Sequence, residues 1–220
     1  MPSSRRSSAR SLCAKARLQA VAAVRIACSF YEFSGTVQEL SSVLFGEQAE
    51  VILGGEPLAC ACPAAGCIAD ISLPTLAGIN PQRIKARALI QHMGRMLGDE
   101  GSSLFAVYGN PDGAALEPLP LERSVELEAL QDAFLPRMRA QNDNAATIAC
   151  YLVCHPAISQ VFYPGLKDDA SFVTAAQVLA HGFGNAIDCR MEGAASLTRL
   201  FASEGDPFEQ IAALERRLAR

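Results

Sequence analysis

The run Cys154-His155-Pro156-Ala157-Ile158-Ser159-Gln160-Val161-Phe162-Tyr163-Pro164-Gly165-Leu166, inside the stretch from Phe134 to Met191, decides how this chain is read. Upstream of it, Leu135, Met138, Ala145, Ile148, Ala149 and Leu152 recur at three- and four-residue steps, the apolar stripe of an amphipathic helix running to about Val153. His155-Pro156 ends that helix, because proline disfavours the helical region for its predecessor and donates no amide. Ile158, Val161 and Phe162-Tyr163 predict a strand, closed by the turn residues Pro164-Gly165. Beyond the charged loop at Lys167-Asp168-Asp169, the residues Phe172, Val173, Ala176 and Leu179 sketch a second helix ending at Gly182. Ala186-Ile187-Asp188-Cys189 then predicts a short alternating strand. The order is helix, strand, helix, strand.

Working outward, Leu197 to Pro207 reads as a closing strand and the entry to a last helix carrying Ile211, Leu214 and Leu218. Asp206 can cap that helix, Pro207 suits its first position, and Glu209 falls in its first turn. Towards the N-terminus, helical stripes are predicted at Val37, Leu40, Val43 and Leu44, and again at Ile84, Ala88, Leu89, His92 and Met96.

The motifs Asn142-Asp143-Asn144-Ala145, His155-Pro156, Val161-Phe162-Tyr163-Pro164-Gly165-Leu166 and Gly182-Phe183-Gly184-Asn185 occur in order and at compatible spacing. In this the chain resembles the pyridoxal-phosphate-dependent enzymes of cysteine and methionine metabolism, the group of cystathionine gamma-synthase and the related lyases. Asp70-Ile71-Ser72-Leu73-Pro74-Thr75-Leu76 is similar to an opening found in some of them, and Phe105 to Pro111 to their Tyr-Ser-Arg-Tyr-Gly-Asn-Pro segment. The resemblance implies an α/β fold: the small C-terminal domain of a fold-type I pyridoxal-phosphate transferase, with a reduced remnant of the large domain before it. It implies a basic leader over residues 1–31, a divergent remnant over 32–124 and the small domain over 125–220.

The same resemblance implies pyridoxal phosphate as cofactor and gamma-carbon replacement or elimination on a homoserine-derived amino acid as the ancestral reaction. Arg199 stands where the family's arginine pairs with the substrate carboxylate, a task suited to a planar two-pronged guanidinium. The alternative for Arg199 is a surface arginine flanking a strand. Phe105 and Val107 stand where the family has a tyrosine and an arginine that reach the cofactor phosphate, so both contacts are expected to be lost. The Schiff-base lysine is expected in a Ser-x-Thr-Lys context, and none of the three lysines, Lys15, Lys85 and Lys167, has those surroundings. No catalytic or cofactor-binding residue is therefore assigned, and binding of the cofactor by this chain is not expected. The alternatives are a non-catalytic small α/β interaction module and an incomplete gene model of an active enzyme.

Composition sets bounds on this picture. Half of the 220 residues are apolar and the net charge is −4, values of a soluble globular protein with no electrostatic case for nucleic acid. Six basic and no acidic residues fall in the first 31, leaving 13 basic against 23 acidic beyond them. This leader, rich in Ser, Arg and Ala, reads as a transit peptide or a disordered start, and Ala20 to Val24 is too short to span a membrane. The expected location is cytoplasmic, or an organelle if the leader is a transit peptide. Expected partners are an amino-acid substrate if the chain is active, and a second copy or a complete homologue. Eight cysteines, with Cys60, Cys62 and Cys67 in one loop and Cys150 and Cys154 one helical turn apart, lack paired zinc spacing and read as reduced thiols. The three histidines, His92, His155 and His181, lie in no nucleophile signature and read as structural.

Overall fold

A computed structural model describes residues 28–73, 78–79, 83–99, 101–111 and 116–218. Lys15, the basic leader up to Ala27 and the Pro74-Thr75-Leu76 end of the upstream motif lie outside the described residues. The first sheet uses β1 (Cys28–Glu32), β2 (Glu50–Val51), β5 (Ile68–Asp70), β6 (Ala88–His92) and β7 (Leu104–Tyr108) in the order β1-β7-β6-β5-β2. β7 runs antiparallel to both β1 and β6, whereas β6, β5 and β2 are parallel.

Two-residue periodicity then assigns each side chain to a face. Tyr31, Ile90, Phe105 and Val107 pack against α1 (Val37–Phe45) through Val37, Leu40 and Leu44. Phe30 and Ala106, one residue out of phase, point the other way to Leu127, Phe134 and Met138 of the long helix α3 (Leu121–Val153). α1 begins at a capping box: the Thr36 hydroxyl accepts from Glu39 N at 3.2 Å, and Glu39 Oε2 accepts from Thr36 N at 2.8 Å. Thr36→Ala should lower stability by about 1 kcal/mol in urea unfolding, the usual loss on removing a capping hydroxyl, with the denaturant slope unchanged.

The helical stripe expected at Ile84, Ala88, Leu89, His92 and Met96 is corrected here: Ala88–His92 is the strand β6, and only Gly94–Leu97 beyond it is helical (α2). β6 is flanked by β5 and β7 and buried on both faces, so its apolar run carries no alternation and mimics a helical one.

α3 is the spine of the molecule. Its first half covers the five-stranded sheet, and its second half, through Ala145, Ile148, Ala149 and Leu152, covers a second sheet of order β10-β9-β8. That sheet comprises β8 (Ile158–Phe162), β9 (Ala186–Met191) and β10 (Thr198–Phe201), all antiparallel. The closing helix α5 (Pro207–Leu218) lies on the same side, its Ile211 and Leu214 packing into the cluster formed by Tyr163, Ile187 and Cys189. Asp206 Oδ1 accepts from Phe208 N at 2.8 Å, so the expected cap forms.

Between the two sheets, the hairpin of β3 (Leu53–Gly54) and β4 (Ala59–Cys60) meets α4 (Phe172–Val178) and the far side of β9. Ile52, Leu53, Leu58 and Cys60 share one buried cluster with Ala175, Val178, Leu179 and Ala186. Residues from both sides of Val125 thus build a common core. In α4 the buried positions are Ala175 and Val178, while Val173, which the sequence placed on the apolar stripe, is 66% exposed. Among the described residues no helix is long and apolar enough to cross a membrane.

Candidate functional site

The antiparallel register of β9 and β10 sets Arg199 directly opposite Asp188. Ile187 and Cys189 turn to α3, so Ala186 and Asp188 turn to the β3–β4 hairpin. The guanidinium meets the carboxylate two-pronged: Nε donates to Asp188 Oδ1 and Nη2 to Oδ2, each at 2.7 Å. Nη2 also donates to the Gly55 carbonyl at 2.6 Å, and Leu58 N donates to Asp188 Oδ2 at 2.9 Å. Both ends of the hairpin loop are therefore clamped to the small sheet by one ion pair.

Burial makes this pair consequential. The Asp188 side chain is 1% exposed, and Asp188 is the one charged residue in the buried class among the described residues. A carboxylate that far from water needs both a counter-charge and hydrogen-bond donors, and it has them. Arg199 retains 30% exposure at its side chain. Its pKa is raised, chiefly by the hydrogen bonds to Asp188 and against the opposing effect of desolvation, so it stays a cation. The Nε–Nη2 edge, the prong that would receive a ligand carboxylate side-on, is taken by Asp188 and Gly55.

Asp188 is the site residue that sequence reasoning missed. One signal was available: a charged residue in the middle of the otherwise apolar Ala186-Ile187-Asp188-Cys189 must find a buried partner if that segment is a core strand.

The other sequence candidates lie apart from this pair. Lys85 is exposed in the segment before β6, and Lys167 is exposed on the rim of a groove of about 720 Å³ lined by Leu58, Cys60, Gln160, Phe162, Asp169 and Thr174. Phe105 and Val107 are 1% and 0% exposed, their side chains enclosed between β7 and α1. His155 bonds Glu215 through Nε2 at 3.2 Å, His92 Nε2 lies 2.6 Å from the Ser102 carbonyl, and His181 offers its own carbonyl to Asn142. These described residues do not fit pyridoxal phosphate. Its aldehyde needs an enclosed lysine and its phosphate a set of donors, whereas both described lysines face solvent and the two phosphate-contact positions hold buried hydrocarbon. Among the described residues no three His, Cys, Asp or Glu side chains converge as a metal site would require.

The thiols divide by environment. Burial, aided by the nearby Glu128 carboxylate, pushes Cys28 up to about 12, and burial pushes Cys60 up to about 11. Cys62, Cys150 and Cys154 are exposed. Because the thiolate is the reactive form, iodoacetamide at pH 8 should modify these three well before Cys28 and Cys60 in peptide mass maps. Raising the pH to 9.5 should not bring Cys28 into the fast class, since it stays protonated there.

Residues 132–204 match the family model described as Cys/Met metabolism PLP-dependent enzyme. Cystathionine gamma-synthase of Mycobacterium leprae is 36% identical over 80 residues, 36% of this chain and 20% of that protein. The Mycobacterium tuberculosis protein of the same name is 34% identical over 87 residues, 40% and 21% of the two chains. Among solved structures, metB from Corynebacterium glutamicum superposes with a TM-score of 0.58 at 20% identity, covering 69% of this chain and 54% of that one. Cystathionine gamma-lyase from Lactobacillus plantarum, complexed with L-serine, gives 0.51 at 18% identity over 69% and 55%. The aligned stretch spans about a fifth of the curated relatives' length and the fold about half of the solved chains. Residues 132–204, which carry most of α3, the small sheet and the Asp188–Arg199 pair, are thus similar to the Cys/Met metabolism PLP-dependent enzymes, and the chain shares the mixed α/β, fold-type I architecture of the solved enzymes in part.

Proposed function

We propose that this chain is a transsulfuration-enzyme-like protein, of the cystathionine gamma-synthase and lyase type, whose 220 residues do not by themselves build the Schiff-base centre. On this reading residues 125–220 are the small domain and 32–124 a divergent remnant of the large one, kept as a structural partner. The observation that carries it is the Asp188–Arg199 pair: the arginine that would face a substrate carboxylate is spent on an internal carboxylate and on the Gly55 carbonyl. The surface positions of Lys85 and Lys167 point the same way.

Equilibrium dialysis of the purified chain against pyridoxal phosphate tests this. The expected result is no stoichiometric retention; one cofactor per chain, held through dialysis and followed by its absorption, would refute the reading. For a chain that folds as described, Arg199→Lys should leave any amino-acid binding unchanged, and a large loss would reveal a surviving substrate site.

The short span of the relatives that is matched favours a second reading, in which the chain is an incomplete gene model of an active enzyme. Transcripts read across Glu117 to Leu127 and across Met191 to Ser196 decide between the two. Inserted coding sequence with a Ser-x-Thr-Lys context supports the active enzyme, and uninterrupted sequence supports the remnant.

A further inference from the structure

We propose that Asp188 is a built-in surrogate for a ligand carboxylate, and that the position it fills is a concealed receptor for small monocarboxylates, which opens when Asp188 is removed. The geometry is that of a two-pronged carboxylate complex with the ligand supplied by the neighbouring strand: two N–H donors of Arg199 at 2.7 Å and a third, the Leu58 amide, at 2.9 Å. All three donors are positioned by groups that removal of the Asp188 carboxylate leaves in place. Arg199 is set by the strand register and its bond to the Gly55 carbonyl, and Leu58 is 1% exposed in the hairpin core. Deleting the carboxylate would leave a buried backbone amide and a partly exposed cation aimed at one vacated volume. The most economical species to fill it is a free carboxylate, entering from the solvent side where Arg199 keeps 30% exposure. In the native chain Asp188, tethered at high effective concentration, outcompetes any such ligand.

This rests on the reading that Arg199 occupies the carboxylate-facing position, but it is read on Arg199 and not on a lysine, so the failure of either idea is distinguishable from that of the other. The experiment is chemical rescue in the full chain. Melting temperatures of the native protein, Asp188→Ala, and Asp188→Ala with Arg199→Ala are compared in sodium acetate and in sodium chloride of equal ionic strength. Acetate should raise the midpoint of Asp188→Ala saturably, by a few degrees at about ten times its dissociation constant, and should leave the native chain and the double variant unmoved. In ¹⁵N spectra the Arg199 Nε signal of Asp188→Ala should shift with the same saturation. No acetate-specific rise in a folded Asp188→Ala, or an equal rise in the native chain, would overturn the proposal. If Asp188→Ala does not fold in chloride, Asp188→Ser supplies the same comparison, and its failure to respond to acetate counts equally against the idea.

Discussion

Arg199→Ala should destabilise the fold by about 3 kcal/mol or more, one of the two largest single-residue effects expected. The loss comes from what is left behind rather than from the contact removed. Asp188 is 1% exposed and would keep only the Leu58 amide as a donor, so a buried carboxylate would stand without its counter-charge. Asp188→Asn, in contrast, leaves Arg199 with partial access to water and keeps an acceptor for Leu58 N, and should cost less. The asymmetry has a sharper corollary. In the Arg199→Ala background, Asp188→Ala should be neutral or stabilising, and the apolar pair Asp188→Leu with Arg199→Met should recover most of the native stability. Urea unfolding of the four proteins measures this, and additive losses in the double-mutant cycle would show that the pair is not coupled as described.

Gly182→Ala should cost about 2–4 kcal/mol, for two reasons that act together. Gly182 has φ +120°, a conformation that L-residues rarely adopt, and a Cβ there would lie 2.8 Å from Asn142 Cβ. Asn142 cannot step aside, because it is 2% exposed on α3 and its Nδ2 holds the His181 carbonyl at 3.0 Å. Two other glycines separate the contributions. Gly184, φ +90°, has its nearest neighbour at 3.3 Å on the end of the Leu53 side chain, and Gly193, φ +73°, has nothing within 4 Å. The expected order of loss to alanine is Gly182, then Gly184, then Gly193. Equal losses at Gly182 and Gly193 would mean that the approach to Asn142 carries no weight.

How far the fold could be read from sequence depended on whether an element carried its own punctuation. β8 sits between His155-Pro156 and Pro164-Gly165, and α5 begins at Asp206-Pro207, so both were legible to within a residue or two. β6 had no such brackets, and its two-sided burial erased the alternation that marks a strand. α3 was recognised only from about Leu135 because its first turns are charged. Leu121, Val125 and Leu130 there are exposed, and Leu127 alone is buried before Phe134. Leu135 itself is 48% exposed, and Phe134 takes the core position beside it. The five-stranded sheet escaped notice because β2 and β5 are two and three residues long, too short for any period to register.

The site was legible by half. Arg199 stands out in the sequence only through the resemblance to a carboxylate-pairing arginine, but its partner Asp188 is eleven residues away across a hairpin, and the further contacts, Gly55 to Arg199 and Leu58 to Asp188, come from the far end of the chain. Such convergence is a property of register and packing, which a linear reading does not contain. The polar loop around Gly182 shows the same limit. Tyr163, 1% exposed, donates its hydroxyl to the Gly184 carbonyl at 3.0 Å, and Asn185 Nδ2 donates to the Ala202 carbonyl at 3.1 Å, so the Gly-Phe-Gly-Asn motif is held in place by residues just beyond β8 and β10.

The most direct measurement is reductive trapping. The purified chain is incubated with pyridoxal phosphate, reduced with borohydride and mapped by peptide mass spectrometry for phosphopyridoxyl-lysine. The account predicts sparse labelling spread over exposed lysines, Lys85 and Lys167 among them, with no protection by a homoserine ester. Stoichiometric labelling at a single lysine, competed by that ester, would contradict it and restore a working cofactor site to this chain.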